Sequence, residues 1–317
     1  MTRLKHYISE AKMDKKITIQ EVVPRDGFQM EEKFIPTEEK VRLINALSKT
    51  GVKKIEVTSF VSPKAVPQLK DAADVFQKIN KIAGVTYVAL VPNIRGAIRA
   101  KEAKVDEINL VMSVSESHNL KNVRKATEDS LREFQEIKNI LQGTGIKVNG
   151  SLATAFGCPF EGMQKEERLF AFLETYVEKL NFDSITFADT TGMAHPKQVE
   201  SLMKKAVAMY PNIPITLHFH NTRGMGLANV LAGLEAGITR YDASLGGLGG
   251  CPFAPGATGN ICTEDLVHML EAMGYDTGVD LDYLINLSKQ LPRLIGKEIP
   301  GQVVKAGKIT DLHPFDR

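Results

Sequence analysis

The sequence predicts an α/β chain folded as one closed (β/α)₈ barrel, the TIM-barrel architecture, with an extra helix at its C-terminal end. Three observations carry that expectation. Short β-branched runs alternate eight times with longer helical patterns; the units share no repeat of sequence detail; and no low-complexity stretch or flexible linker divides the 317 residues. Length alone allows two domains or one large barrel, and the eightfold alternation decides for the barrel.

An N-terminal arm, Met1 to Lys16, precedes a first strand expected over Ile17 to Val22. Pro36 marks a break, and Thr37 is expected to N-cap the next helix, whose first turn carries Glu38 and Glu39, where carboxylates suit the helix dipole. The second strand, Lys54 to Thr58, pairs with a helix after Pro67, and the third, Val85 to Val91, with one from about Ile94 to Ala103. The fourth, Glu107 to Met112, leads to a long amphipathic helix near Glu128 to Gln142. Gly143 and Gly145 punctuate the join to the fifth strand, Ile146 to Ala153, and a helix near Lys165 to Leu180 follows. The sixth strand, Ser184 to Ala188, is followed by a helix after Pro196, and the seventh, Ile213 to Phe219, by one over Ala228 to Ala236. The eighth strand is Thr239 to Ser244 and its helix about Glu264 to Met273. Asp280 to Ile295 is expected as the extra helix packed outside, which closes a barrel domain of residues 17–296. Lys297 to Arg317 reads as a tail, a loop or partly disordered.

Charge is nearly balanced, 40 Lys and Arg against 38 Asp and Glu, with no basic stripe or acidic tail. That excludes nucleic-acid and membrane-surface binding and leaves room for an anionic small molecule. The first sixteen residues are polar without an apolar core, and no uncharged run reaches spanning length, so a soluble, cytoplasmic protein is expected. Cys158, Cys251 and Cys262 are too few and too odd in number for a disulfide framework, in keeping with a reducing compartment.

In such a barrel the chemistry sits just beyond the C-terminal ends of the strands. His218 and His220 close the seventh strand; side chains two apart share one face, so both imidazoles point the same way. Alone, such a pair is as readily two polar residues at a strand end. Asp26 ends strand one, which flanks strand eight with strand seven when the ring closes, and Asn260 lies in the loop after strand eight. Two oxygens and two nitrogens without thiolates suit Mg²⁺ or Mn²⁺, with positions left for a substrate hydroxyl and carboxylate. Against this stand a loop-capping role for Asp26 and a helix cap for Asn260.

Arg25 is suited to stabilise an enolate or carboxylate oxygen, or else makes a surface ion pair. Glu56 and Asp189 are carboxylates on strands that read as buried, so each needs a partner. Arg25 is the near candidate for Glu56, and both carboxylates could equally be supports of the site. Cys251 sits in Gly246-Gly247-Leu248-Gly249-Gly250-Cys251-Pro252, a loop flexible enough to deliver a thiol like a lid, or is an inert cysteine as Cys158 and Cys262 are expected to be. That loop lacks the spacing and lysine of nucleotide-binding loops. Asn221 and Arg223 either orient the ring nitrogens or cap the following helix.

Together, Pro24-Arg25-Asp26-Gly27-Phe28-Gln29, Thr58-Ser59-Phe60-Val61-Ser62-Pro63-Lys64, Phe156-Gly157-Cys158-Pro159, the His218–His220 strand and Gly247 to Asn260 resemble the hydroxymethylglutaryl-CoA lyase family, from about Ile17 to Gly278. Arg-Asp-Gly-x-Gln is shared with a wider group of metal-dependent barrels that includes isopropylmalate and homocitrate synthases. The resemblance implies a divalent metal, Mg²⁺ or Mn²⁺, held by Asp26, His218, His220 and Asn260. It also implies Arg25 stabilising an enolate, Glu56 and Asp189 supporting the site, and Cys251 as the loop thiol. The expected activity is retro-Claisen cleavage of a 3-hydroxy-3-methyl acyl-CoA, hydroxymethylglutaryl-CoA giving acetyl-CoA and acetoacetate, by a homodimer. The chain departs from the family where the acyl group would lie. Phe28-Gln29-Met30 replaces Leu-Gln-Asn, Asn221 replaces an Asp, and Ser151 stands near a usual Tyr. A related ester such as citramalyl-CoA is therefore a second candidate substrate. Two rival functions are a condensing synthase, running the same chemistry towards C–C bond formation, and a non-catalytic CoA-binding barrel.

Overall fold

The computed structural model describes residues 16–250, 259–312 and 314, so the N-terminal arm before Lys16 lies outside the described residues. Eight strands, β1 (Thr18–Glu21), β2 (Lys54–Ser59), β3 (Thr86–Leu90), β4 (Glu107–Ser113), β5 (Lys147–Ala153), β6 (Ser184–Asp189), β7 (Ile215–Phe219) and β8 (Arg240–Ala243), close in chain order into a parallel barrel. β8 pairs back onto β1, with Thr18 opposite Arg240 and Glu21 opposite Ala243. The helices are α1 (Thr37–Leu47), α2 (Ala72–Lys78), α3 (Ile94–Glu102), α4 (Glu116–Val123), α5 (Thr127–Leu141), α6 (Glu166–Glu174), α7 (Pro196–Met209), α8 (Gly226–Glu235) and α9 (Thr263–Ala272), then α10 (Leu281–Ser288), α11 (Leu291–Ile295) and α12 (Val303–Ala306).

The expected strands appear within one or two residues, and the exceptions elsewhere have local causes. Thr37 does not cap α1. Extended Pro36 takes the cap position, and the Thr37 hydroxyl donates to Asp71 Oδ2 at 2.8 Å instead. A helix the hydrophobic pattern does not announce, α4, is capped by Ser115, whose Oγ accepts from His118 N at 3.1 Å. The single helix expected over Asp280 to Ile295 is two, α10 and α11. Pro292 in the first turn of α11 has no N–H to carry an unbroken ladder through. Within the expected tail, α12 docks on α9, with Gln302 N and Val303 N donating to Asp265. No described helix is long and apolar enough to cross a membrane.

Every residue of β2 and β6 is buried, so both faces of the sheet are covered. Alternate residues sort the two faces. Ile55, Val57, Ile108, Leu110, Phe187, Leu217 and Tyr241 belong to the apolar core beneath the helices. Lys54 on β2 pairs with Glu107 on β4, across the intervening β3, so these side chains meet inside the barrel. The lumen above them is polar and hydrogen-bonded. Asn109 Oδ1 accepts from Asn149 Nδ2 at 2.9 Å and from Ser151 Oγ at 2.7 Å, and Asn149 Nδ2 also reaches Thr186 Oγ1 at 3.0 Å. Buried polar atoms need such partners, and this network supplies them beneath the barrel mouth.

Candidate active site

β1 runs straight into a tight turn, Val23–Gly27, in which the amides of Arg25 and Asp26 both donate to Val22 O, at 3.1 and 2.7 Å. The turn leaves no room for a larger residue at Gly27, where a Cβ would lie 2.7 Å from Val23 Cγ2. It sets Arg25 and Asp26 side by side at the mouth, both buried. Arg25 Nε and Nη2 each lie 2.6 Å from Glu56 Oε2, and Nη1 pairs with Asp26 Oδ1. The expected Arg25–Glu56 partnership is thus present. Asn109 Nδ2 donates to the other Glu56 oxygen at 3.1 Å.

His218 lies on β7 and His220 just past its end, with ring centroids 5.2 Å apart and the two Nε2 atoms 3.1 Å apart. Asn260 arrives by a short antiparallel stitch. Ile261 N donates to Phe219 O and Asn221 N to Gly259 O, both at 3.0 Å, which sets Asn260 opposite His220. Its Nδ2 donates to Asp26 Oδ2 at 2.7 Å and to Leu248 O at 3.0 Å. Gly249, at φ +122°, passes so close that a Cβ would stand 2.4 Å from that Nδ2.

Asp26, His218 and His220 each offer one ligand atom, and these atoms lie within 4.8 Å of one another. Asn260 Oδ1 is buried and has no hydrogen-bond partner among the described residues. A carboxylate, two imidazoles and an unsatisfied amide oxygen around one buried point form a donor set that fits a divalent cation. Burial alone would raise the Asp26 carboxyl, but Arg25 and the two imidazoles outweigh it and hold it down at about 2. Burial disfavours a charged His218 ring, yet the hydrogen bond between Nδ1 and Asp242 Oδ2, at 3.1 Å, lifts its pKa above the ordinary value. That bond fixes the ring and directs Nε2 toward His220.

Of the other expected site residues, Asp189 accepts from Met193 N at 2.8 Å and Ala194 N at 3.1 Å, so it organises the loop after β6. Burial pushes its carboxyl up to about 6. Asn221 Oδ1 accepts from Gly226 N at 3.0 Å at the start of α8, the capping role, and Arg223 donates to the carbonyls of Thr191 and Gly192. The orienting partner of His218 is Asp242 rather than either of them. Cys158 and Cys262 are buried, and burial raises the Cys262 thiol well above its ordinary range. Cys251 lies outside the described residues.

Sequence reasoning missed Asp242, Glu21 and Glu264. Each is a carboxylate in or beside a stretch that reads as buried, the signal that singled out Glu56 and Asp189. Glu21 Oε1 accepts from Val23 N and Leu245 N, while both Glu264 oxygens accept from Gly246 N at 3.0 to 3.1 Å. Burial pushes the Glu21 carboxyl up to about 8, against hydrogen bonds that favour its ionised form.

Fold and site define a TIM barrel with a candidate divalent-cation centre at the C-terminal mouth of its strands. The model of the HMGL-like family matches residues 16–291, and the chain belongs to that family. It is 45% identical to the hydroxymethylglutaryl-CoA lyase YngG of Bacillus subtilis over 294 residues, covering 93% of this chain and 98% of that protein. It is 40% identical to the (R)-citramalyl-CoA lyase of Chloroflexus aurantiacus, covering 92% of this chain and 95% of that one. Among solved structures, an HMG-CoA lyase of Acinetobacter baumannii in complex with coenzyme A and 3-methylmalate superposes with a TM-score of 0.92 at 52% identity, covering 96% of this chain and 99% of the other.

Proposed function

We infer that this protein is a carbon–carbon lyase that cleaves hydroxymethylglutaryl-CoA to acetyl-CoA and acetoacetate. The observation that carries this is the buried Asp26–His218–His220 cluster with Arg25 fixed beside it, in a chain of the HMGL-like family. Mg²⁺ or Mn²⁺ held by Asp26, His218, His220 and Asn260 would supply a Lewis acid that acidifies the C3 hydroxyl of the substrate.

The protein's own groups account for the rest. As a site base takes the hydroxyl proton, the C3–O bond becomes the ketone of acetoacetate, and the C2–C3 electron pair moves into the thioester as an enolate. Arg25, clamped by Glu56 and Asp26, presents a fixed positive charge to that enolate oxygen. The Cys251 thiol gives its proton to C2 and releases acetyl-CoA. Glu56 and Asp189 support the site, Glu56 through Arg25 and Asp189 through the loop it holds. A second reading, the same cleavage of a citramalyl-type ester, is favoured by the 40% identical relative.

The test is incubation of the pure protein with Mg²⁺ or Mn²⁺ and a panel of 3-hydroxyacyl-CoA esters, followed by product identification. Acetoacetate from hydroxymethylglutaryl-CoA is expected; pyruvate from citramalyl-CoA alone would establish the second reading, and no cleavage of any ester would overturn both. Full activity in Cys251→Ala would remove the thiol from the mechanism. We place the enzyme in the cytoplasm as a homodimer, for which light scattering should return twice the chain mass of 34.9 kDa.

A further inference from the structure

We propose that Glu21 is a positioning residue that assembles the cation centre by tying together the three segments that converge on it. Glu21 ends β1, is fully buried and touches none of the four candidate ligands in the described contacts. Its carboxyl is committed to three donors. Oε1 accepts from Val23 N at 2.8 Å and from Leu245 N at 2.9 Å, and Oε2 accepts from Thr263 Oγ1 at 2.8 Å.

Each donor opens one segment. Val23 starts the turn that carries Arg25 and Asp26. Leu245 starts the turn leading to Gly249, the residue packed against Asp26 and Asn260. Thr263 starts α9, three residues past Asn260. Glu264 grips the middle segment from the other side through Gly246 N. Beside the direct bond between Asp26 and Asn260, one side chain therefore links the three segments that carry them, at a place where an isolated barrel core would be better served by an apolar residue.

This role presupposes Asp26 and Asn260 as cation ligands, and the experiment separates the two ideas. Mn²⁺ affinity is measured by titration calorimetry on the wild type and on Glu21→Ala, Glu21→Gln, Thr263→Val and Thr263→Ser, alongside hydrogen exchange at the amides of Val23 and Leu245. Glu21→Ala should weaken Mn²⁺ binding about 10–100-fold and deprotect both amides. Glu21→Gln keeps an acceptor for them and should recover most of the affinity. Thr263→Val should stay folded, at a lower melting temperature, and lose affinity, and Thr263→Ser should restore both.

Wild-type Mn²⁺ affinity retained in folded Glu21→Ala, or in Thr263→Val should Glu21→Ala fail to fold, would overturn the proposal and leave the cation centre standing. A wild type that binds no Mn²⁺ would overturn the cation reading instead. In that case, unchanged protection of Val23 and Leu245 in Glu21→Gln and Glu21→Ala would overturn the tie as well.

Discussion

Glu56→Ala is expected to destabilise the protein far more than its position off the cation centre suggests. Arg25 and Glu56 are both buried, and two guanidinium nitrogens share one carboxylate oxygen at 2.6 Å. Removing one member of a buried pair leaves an uncompensated charge, a loss of about 3–5 kcal/mol. Three features adjust that figure. Asp26 remains beside Arg25, which favours the lower end, whereas Asn109 Nδ2 loses its acceptor and adds roughly 1–3 kcal/mol. Relief of repulsion between Glu56 and Asp242 works the other way. The net expectation is about 3–5 kcal/mol for Glu56→Ala and about 1–2 kcal/mol for Glu56→Gln, which keeps an acceptor for Asn109 and one neutral bond for Arg25. The chain has no tryptophan, so urea unfolding is followed by far-UV circular dichroism at pH 7. Both variants within about 0.5 kcal/mol of the wild type would refute the reasoning, because Asp26 alone would then suffice to hold Arg25.

Three further outcomes are expected. Asp242→Ala should weaken Mn²⁺ binding by about 10–100-fold, because His218 loses the bond that fixes its ring; calorimetry showing wild-type affinity would sink that role. Gly249→Ala puts a Cβ 2.4 Å from Asn260 Nδ2 at a φ of +122°, so it should cost about 1–3 kcal/mol in stability and cut turnover at least tenfold, measured by thermal melts and steady-state kinetics. Burial lowers the His118 pKa from 6.5 to about 4, so the unfolded chain binds the proton that the fold refuses. Stability from this residue is present above pH 6.5 and lost as pH falls toward 4, by up to about 3 kcal/mol. Urea midpoints against pH should flatten across that window in His118→Asn, and parallel profiles would count against it.

The barrel was legible because β-branched runs and helical patterns alternate throughout the chain, and hydrophobic period survives even where both faces are buried. Arg25, Asp26, Glu56, His218 and His220 were legible because charged or imidazole side chains stand at the ends of apolar runs, where a purely structural strand would not place them. Apart from the Arg25–Glu56 pair, the partners that hold them were not. The bond between Glu21 and Leu245 spans 224 positions, and nothing in either neighbourhood marks the other. Asp242 meets His218 only because β7 and β8 are neighbours in register. α4 escaped notice because its stability comes from the Ser115 cap and the Asn119 bond to Ser113 N more than from an apolar stripe. Thr37 shows the converse: a good capping residue by type, drawn away by Asp71 from a distant segment.

The stitch of Gly259–Ile261 along the end of β7 makes the centre a seam between the two ends of the ring. Asp26 and Asn260, 234 positions apart, become neighbours only once β8 has docked on β1, so a folding intermediate with seven strands in place offers an incoming ion little beyond two imidazoles. An ion that recognises only the finished ring stabilises closure itself, by about 2.7 kcal/mol at a hundredfold excess over its dissociation constant. Cation and last strand would thereby each favour the other's arrival.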